Sequence, residues 1–382
     1  MKQKEKISTD RIGTFLTQFL EAGLSSNKQR LELLSLTAIR VLRNDYPQTC
    51  DDLGSLLSRF SVNVDSLRWH KAEPPPVDAD AGLDLLRIIP ADDALEPVLG
   101  PDIGNAVNRF ICERGESEKL LREGIFPPRS LLLKGPPGTG KTMLAKWLAY
   151  KLGLSFVVLD LATSISSYLG KTGSNLRRSL DYARANPCLL LLDEFDSIAK
   201  RRDDSSEVGE LKRIVNVLLK ELEEWPLHSV LVAATNHADL LDPAIHRRFD
   251  VVMNIPMPDL LEREAILLRG IGRFAGTMEP SFTSALAQAL DGCNGSEVDT
   301  LARSAIRRHL VEKIPLEQAI VTAIIQRVPD LSKDEFARLA LILKDCAGLS
   351  VRDIADLLGK GSSTIQYHLS KGARKQRRDQ NA

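Results

Sequence analysis

No stretch of the 382 residues approaches the roughly 18 consecutive apolar side chains that a bilayer-spanning helix needs, so no membrane segment is expected. The five cysteines (Cys50, Cys112, Cys188, Cys293, Cys346) are odd in number, far apart and free of C-x-x-C spacing. They frame neither a disulfide scaffold nor a thiolate metal site, and they suit the reducing conditions of a cytoplasm. None of the six histidines stands in an H-E-x-x-H pair, which excludes a metalloenzyme of that kind. The charged start, Met1-Lys2-Gln3-Lys4-Glu5-Lys6, leads into no apolar core with a small-residue cleavage site, so secretion is not expected. Net charge is absent too, with 51 Lys and Arg against 51 Asp and Glu. What remains is 43% apolar and 27% charged, enough apolar side chains for a real core. Collagen-like and wholly disordered chains are thereby excluded. No internal repeat is visible.

The chain changes texture four times. Residues 1–73 read as helical: Ile12, Phe15, Leu16, Phe19 and Leu20 recur at helical spacing, and a second apolar run extends from Leu31 to Leu42. Residues 74–82 open on Pro74-Pro75-Pro76, which cannot continue a helix and marks a stiff linker. Over residues 83–256 short apolar runs alternate with amphipathic stretches such as Met143–Leu152 and Leu211–Leu222. The runs are Ser130–Leu133, Phe156–Leu159, Cys188–Leu192, Val230–Ala234 and Val251–Ile255. Runs of this length with little internal alternation suit strands of a parallel sheet buried on both faces, with helices as crossovers. This predicts an α/β fold with a five-stranded parallel sheet between helices. Residues 257–326 are helical again. Residues 327–382 hold a helix with Phe336, Leu339, Ala340 and Leu343 on one face, a short helix from Ser350, a turn at Gly359-Lys360-Gly361 and a third helix from Ser362.

Gly135-Pro136-Pro137-Gly138-Thr139-Gly140-Lys141-Thr142 satisfies G-x-x-x-x-G-K-[ST] directly after the run Ser130–Leu133 and before a helical stretch that begins with Met143. Glycines let main-chain N–H groups curl around phosphate oxygens, and the helix start adds favourable partial charge. Lys141 then reaches the β- and γ-phosphates of ATP, and the Thr142 hydroxyl ligates Mg²⁺. The run Leu189–Leu192 ends in Asp193-Glu194, two carboxylates delivered to the carboxyl edge of a parallel sheet, where ligands bind. Asp193 is assigned to Mg²⁺ through water and Glu194 to polarising the attacking water. A further strand ends at Asn236, whose amide can bond the lytic water or the γ-phosphate. Arg247 and Arg248 are either a solvated face or a source of charge for a neighbouring subunit's γ-phosphate, since guanidinium matches phosphate bidentately.

In order and spacing, Leu133–Thr142, Leu189–Arg201, Leu231–Asn236 and Leu241–Phe249 resemble the Walker A, Walker B, sensor 1 and arginine-finger segments of AAA ATPases. The resemblance covers about residues 83–325 and is nearest to the protein-remodelling branch with meiotic-clade and Vps4-like members. It implies ATP hydrolysis in a ring, usually a hexamer, each site completed by the neighbour's arginines. It makes residues 257–326 a helical lid, in which Gly292-Cys293-Asn294-Gly295-Ser296-Glu297-Val298 resembles the family's second-region motif, which places Gly295 near adenine and ribose. The finger segment His246-Arg247-Arg248-Phe249 departs from members with Pro-Gly between the arginines, so which arginine is the main finger stays open. Tyr168, Leu169 and Gly170 occupy the interval of the family's pore loop, where an aromatic side chain grips a polypeptide. The resemblance extends to bacterial ATPases that can accompany a dedicated subtilisin-like protease in phage-defence pairs, and implies such a setting as one expectation.

The last fifty residues point elsewhere. Their helices resemble a helix-turn-helix, in which Ile365 and Leu369 face inward while Ser363, Thr364, Gln366, Tyr367, His368 and Lys371 are free for bases or phosphates of duplex DNA. From Lys360 to Ala382 there are six Lys and Arg (Lys360, Lys371, Arg374, Lys375, Arg377, Arg378) against one acid, Asp379. A neutral chain that gathers positive charge beside a candidate reading helix behaves as DNA binders do. A small protein-docking module with a solvated basic tail is the alternative. Two readings follow: a protein-remodelling ATPase, and a DNA-associated ATPase tethered through its tail. A nucleotide-gated scaffold without turnover fits less well, because Glu194, Asn236 and Arg247 are all present.

Overall fold

The computed structural model describes residues 2–24, 28–43, 45–61, 76, 85–90, 94–161, 172–197, 218, 220–221, 224–241, 243–327, 333–345 and 348–379. They form two compact units. The first comprises Met1–Glu96, Asp102–Gly135 and Lys141–Asn254, and the second Pro97–Pro101, Pro136–Gly140 and Ile255–Ala382.

In the first unit, helices α1 (Lys2–Leu24), α2 (Lys28–Leu42) and α3 (Pro47–Ser61) precede the short strand β1 (Arg87–Ile89). Then come α4 (Pro101–Gly115), α5 (Ser117–Arg122), β2 (Ser130–Lys134), α6 (Lys141–Lys151), β3 (Ser155–Asp160), α7 (Thr172–Ala185), β4 (Cys188–Asp193), β5 (Val230–Thr235), α8 (Pro243–His246) and β6 (Val251–Asn254). The strands form one sheet in the order β1-β3-β4-β5-β2-β6. Every pairing from β3 to β6 is parallel, as the buried runs predict. Leu131–Leu133, Leu189–Leu192 and Val230–Ala234 are each at most 1% exposed, and a fully buried Leu contributes about 2 kcal/mol.

The sheet has a sixth strand beyond the expected five. β1 pairs antiparallel with β3, Ile88 opposite Val157, and its three residues are too few to carry a pattern of their own. The order has one consequence for chemistry: β5 lies between β2 and β4. The loop leaving β2, the carboxylates ending β4 and the residues ending β5 therefore emerge side by side at the sheet's carboxyl edge.

The N-terminal helices pack within this unit. Leu36, Ile39, Cys50 and Leu57 form one buried cluster with Leu121 of α5 and with Leu227. α3 and α5 meet where a Cβ on Gly54 would lie 2.9 Å from Arg122 Cγ and 3.0 Å from its Cα, so only glycine allows the approach. Arg40 donates to the Gly124 carbonyl at 3.0 Å, and Arg43 pairs with Glu123 at 2.8 Å. Phe15 and Phe19 of α1 are half-buried, whereas Leu16 and Leu20 are exposed although they keep helical spacing. The proline-rich linker reading falls almost wholly outside the described residues.

The second unit contains α9 (Leu260–Ile271), α10 (Pro280–Ala289), α11 (Gly295–Glu312), α12 (Leu316–Arg327), α13 (Lys333–Asp345), α14 (Val351–Leu358) and α15 (Ser362–Asp379). Asp259, Asn294 and Ser350 each open a helix with a reciprocal capping box, to Glu262, Glu297 and Asp353. Gly359 closes α14 in the left-handed conformation, φ 60°. One buried cluster joins Leu267, Leu286, Val298 and Ile320 to Leu339, Leu343, Ile354, Ile365 and Leu369. The helices before and after residue 327 thus share one hydrophobic core.

Candidate functional site

β2 ends at Lys134, and the Gly135 N–H donates to the carbonyl of Thr235, the last residue of β5, at 3.3 Å. Lys141 opens α6 and is buried, its Nζ donating to the Gly135 carbonyl at 2.8 Å. Burial pushes the pKa of this ammonium down, while Asp193 and Asp196 act in the opposite direction. The Thr142 hydroxyl donates to the Asp193 carboxylate at 3.3 Å. Met143, in the first turn of α6, is half-buried. The structure thus assembles Lys141, Thr142 and Asp193, which lie about fifty positions apart in the chain.

Glu194 is exposed and is one of two non-glycine residues with positive φ among the described residues, at 52°. A left-handed backbone costs a side-chain-bearing residue of order 1 kcal/mol or more, and such strain clusters where a group must be aimed. The turn is pinned on either side. The Glu194 N–H donates to Asp193 Oδ1 at 3.0 Å, and the Phe195 N–H donates to the Ala234 carbonyl at 2.9 Å.

Asp196 is the residue that the sequence reading missed. It is 3% exposed, and its Oδ1 accepts from the Thr235 hydroxyl at 3.3 Å and from the Asn236 N–H at 3.2 Å. The Thr235 hydroxyl in turn accepts from the His237 N–H at 3.1 Å. A buried carboxylate therefore fixes the backbone that carries Asn236 beside the Asp193-Glu194 turn. The third acidic residue of Asp193-Glu194-Phe195-Asp196 was visible in the sequence, but its partner lies on another strand.

Arg247 and Arg248 are exposed in the turn after α8. Phe249 is buried edge-on against Phe195, with ring centroids 6.1 Å apart. Asp250 accepts from the N–H groups of Arg129 and Ser130, at 2.7 and 3.0 Å, where β2 begins. The two arginines thus leave the backbone beside the start of β2, whereas the glycine loop follows its end. The segment with Tyr168, Leu169 and Gly170 lies outside the described residues.

In the second unit the loop Pro136–Gly140 meets the start of α11. Gly138 has φ 76°, and a Cβ there would lie 2.4 Å from Asn294 Oδ1. Its carbonyl accepts from the Ser296 N–H at 3.0 Å. A Cβ on Gly295 would lie 3.3 Å from the same carbonyl. Gly295 is thus placed against the glycine loop, with Asn294 and Ser296 of the same motif as further contacts, to which the sequence reading gave no role of their own.

At the far end of that unit, Ser363, Thr364, Gln366 and Tyr367 are exposed on α15, and Ile365 and Leu369 are buried. His368 differs from the expected free position. It is half-buried with its ring 5.0 Å from that of Phe336, because it falls on the inward side of the helix. Lys371 continues the same helix. Among the described residues no group of three or more His, Cys, Asp or Glu is arranged to hold a metal ion, and no helix is long and apolar enough to cross a membrane.

Residues 131–257 match the model of the ATPase family associated with various cellular activities (AAA). An uncharacterized AAA family ATPase y4kL of Sinorhizobium fredii is 34% identical over 227 residues, which are 59% of this chain and 68% of that protein. Protein SAV of Sulfolobus acidocaldarius is 38% identical over 193 residues, 49% of this chain and 25% of its own length. The ATP-dependent zinc metalloprotease FtsH 3 of Sphaerobacter thermophilus is 40% identical over 157 residues, 40% of this chain and 32% of its own length. The chain therefore spans only about a quarter to a third of these two larger relatives. Among solved structures, the FIGL-1 AAA domain in complex with ADP superposes with a TM-score of 0.50 at 22% identity, covering 68% of this chain and 88% of that one. That likeness concerns the fold.

Proposed function

The chain belongs to the AAA family of ATPases, and on that premise we propose that it hydrolyses Mg-ATP as a ring-forming oligomer, a hexamer, to remodel or thread a polypeptide. The observation that carries the reading is the buried Lys141 at the start of α6 together with the Thr142–Asp193 contact of 3.3 Å. A glycine loop with positive φ at Gly135, Gly138 and Gly140, followed at once by a helix, is a cradle for phosphate oxygens. The donor set fits Mg²⁺, since a hydroxyl and a carboxylate side by side are hard oxygen ligands. When bound, the ion neutralises phosphate charge, with Thr142 and Asp193 as its holders.

In this reading Gly135–Thr142 and Met143 surround the nucleotide, with Gly295 contributing from α11. Lys141 offsets the β- and γ-phosphate charge. Glu194 accepts a proton from water as the water oxygen attacks the γ-phosphorus, and the bond to the bridging oxygen breaks to leave ADP. Asn236 orients the water or the γ-phosphate. Arg247 or Arg248 serves another copy's site. Their place beside the start of β2, with the phosphate loop at its end, supports a role in trans. Tyr168, Leu169 and Gly170 are proposed to grip the substrate in the pore. A proteolytic partner or a defence system is the setting that suits such a motor, and the name of FtsH 3 couples ATP dependence to a protease in that relative.

The experiment is electron microscopy of the Glu194→Gln protein with ATP. Closed rings with arginines of one copy at the next copy's nucleotide are expected. A monomer that neither assembles nor binds nucleotide refutes the reading.

A second reading is favoured by the C-terminal helices. α14, the Gly359 cap and α15 follow one another in the order that a helix-turn-helix needs, α15 has polar exposed residues, and six basic residues stand against one acid from Lys360 onward. Duplex DNA is the proposed occupant, with Ser363, Thr364, Gln366 and Tyr367 facing the groove.

A further inference from the structure

Part of the phosphate loop and the C-terminal face belong to one body. Pro136–Gly140 of the phosphate loop and every helix from α9 to α15 belong to the second unit. Within it, three contacts run in series. Ile365, Leu369 and the His368 ring seat α15 on α13, His368 against Phe336. Arg338 of α13 pairs with Asp291 Oδ2 at 3.2 Å, and Arg263 of α9, 8% exposed, pairs with Asp291 Oδ1 at the same distance. Asp291 stands three residues before Asn294, the cap of α11, whose side chain abuts Gly138 and whose neighbour Ser296 donates to the Gly138 carbonyl. Asp291 thus bridges α13 and α9 at the α10–α11 connection, beside the hydrophobic core that these helices share.

From this arrangement we infer that duplex DNA on the exposed face of α15 regulates the nucleotide site: the two ligands are energetically linked. The inference rests on the duplex-binding reading and deepens it. A closely packed core changes between discrete packings and does not deform continuously, so a ligand that favours one packing at one end favours it at the other. Charge complementarity names the occupant, since the basic end of the chain, six cations to one acid, suits the polyanionic backbone of a duplex. Linkage is reciprocal by thermodynamic necessity, which gives the idea an internal check.

The test uses the full-length protein, a fluorescent ADP analogue and a labelled mixed-sequence DNA duplex at low salt. Saturating duplex should tighten ADP binding by about fivefold or more, and saturating ADP should tighten duplex binding by the same factor. Arg338→Glu, which sets like charge against Asp291, should lower that factor while both ligands still bind. Gln366→Glu combined with Tyr367→Ala should remove duplex binding and leave ADP affinity unchanged. Duplex binding to the wild-type protein with identical ADP affinity in its presence and absence overturns the linkage and leaves the DNA reading standing. Absence of any salt-sensitive duplex binding overturns both, and nucleotide binding then stands alone.

Discussion

The buried carboxylate of Asp196 accepts the backbone N–H of Asn236 at 3.2 Å, and so locks the end of β5 to the acidic turn after β4. Asp196→Ala removes the acceptor from both that N–H and the Thr235 hydroxyl. A small displacement of Asn236 should then lower kcat by about 100-fold while KM for ATP changes little. Asp196→Asn keeps a carbonyl oxygen and should recover much of the rate. Equal kcat in wild-type and Asp196→Ala protein would show that Asn236 needs no such anchor.

Lys141→Ala should weaken ATP binding by about 100-fold, the value of a charge-assisted contact to phosphate. The check is titration with a fluorescent ATP analogue. Burial depresses the pKa of this lysine, with Asp193 and Asp196 holding it up. The ammonium is the binding form and is lost as pH rises, so neutralising a neighbour brings the loss to lower pH. Asp196→Asn should therefore lose ATP affinity at a less alkaline pH than the wild-type protein. Superimposable pH profiles would contradict this.

Glu194→Gln should bind ATP normally and hydrolyse it about 1,000-fold more slowly, because a general base is worth that order of rate. Glu194→Gly should be equally inactive yet more stable by about 1 kcal/mol, since glycine accepts φ 52° without strain. A thermal melt of both variants separates the two effects. A Glu194→Gly protein less stable than Glu194→Gln would mean that the left-handed turn carries no strain.

Cys188 is completely buried in β4, which pushes its thiol pKa up to about 12, whereas Cys112 is exposed on α4. Alkylation follows the thiolate and its accessibility. At pH 8 iodoacetamide should modify Cys112 within minutes and reach Cys188 only when the chain unfolds, as read by peptide mapping. Comparable labelling of both in the folded protein would contradict the burial of β4.

The five parallel strands were legible because each is buried on both faces and reads as an uninterrupted apolar run. β1 was not, since three residues leave no pattern. The phosphate loop was equally legible, its glycines, Lys141 and Thr142 being contiguous. Asp196 shows the opposite case: its role depends on β5 lying beside β4, and strand order is written in no local stretch. Leu16 and Leu20 teach a related lesson. Their spacing correctly announces a helix, yet periodicity gives the period and not the partner, and both side chains face outward. At His368 the expected freedom failed because one residue's rotation around α15 brings the ring onto Phe336.

The core shared across residue 327 bears on how this chain can be dissected. Cutting there would strip Leu339, Leu343 and Ile354 from Ile320 and Ile324, laying bare an oily surface on whatever fragment was kept. Such a fragment would aggregate for reasons unrelated to DNA or nucleotide, so single side-chain exchanges on the outer face of α15 are the scalpel that leaves the rest of the molecule whole.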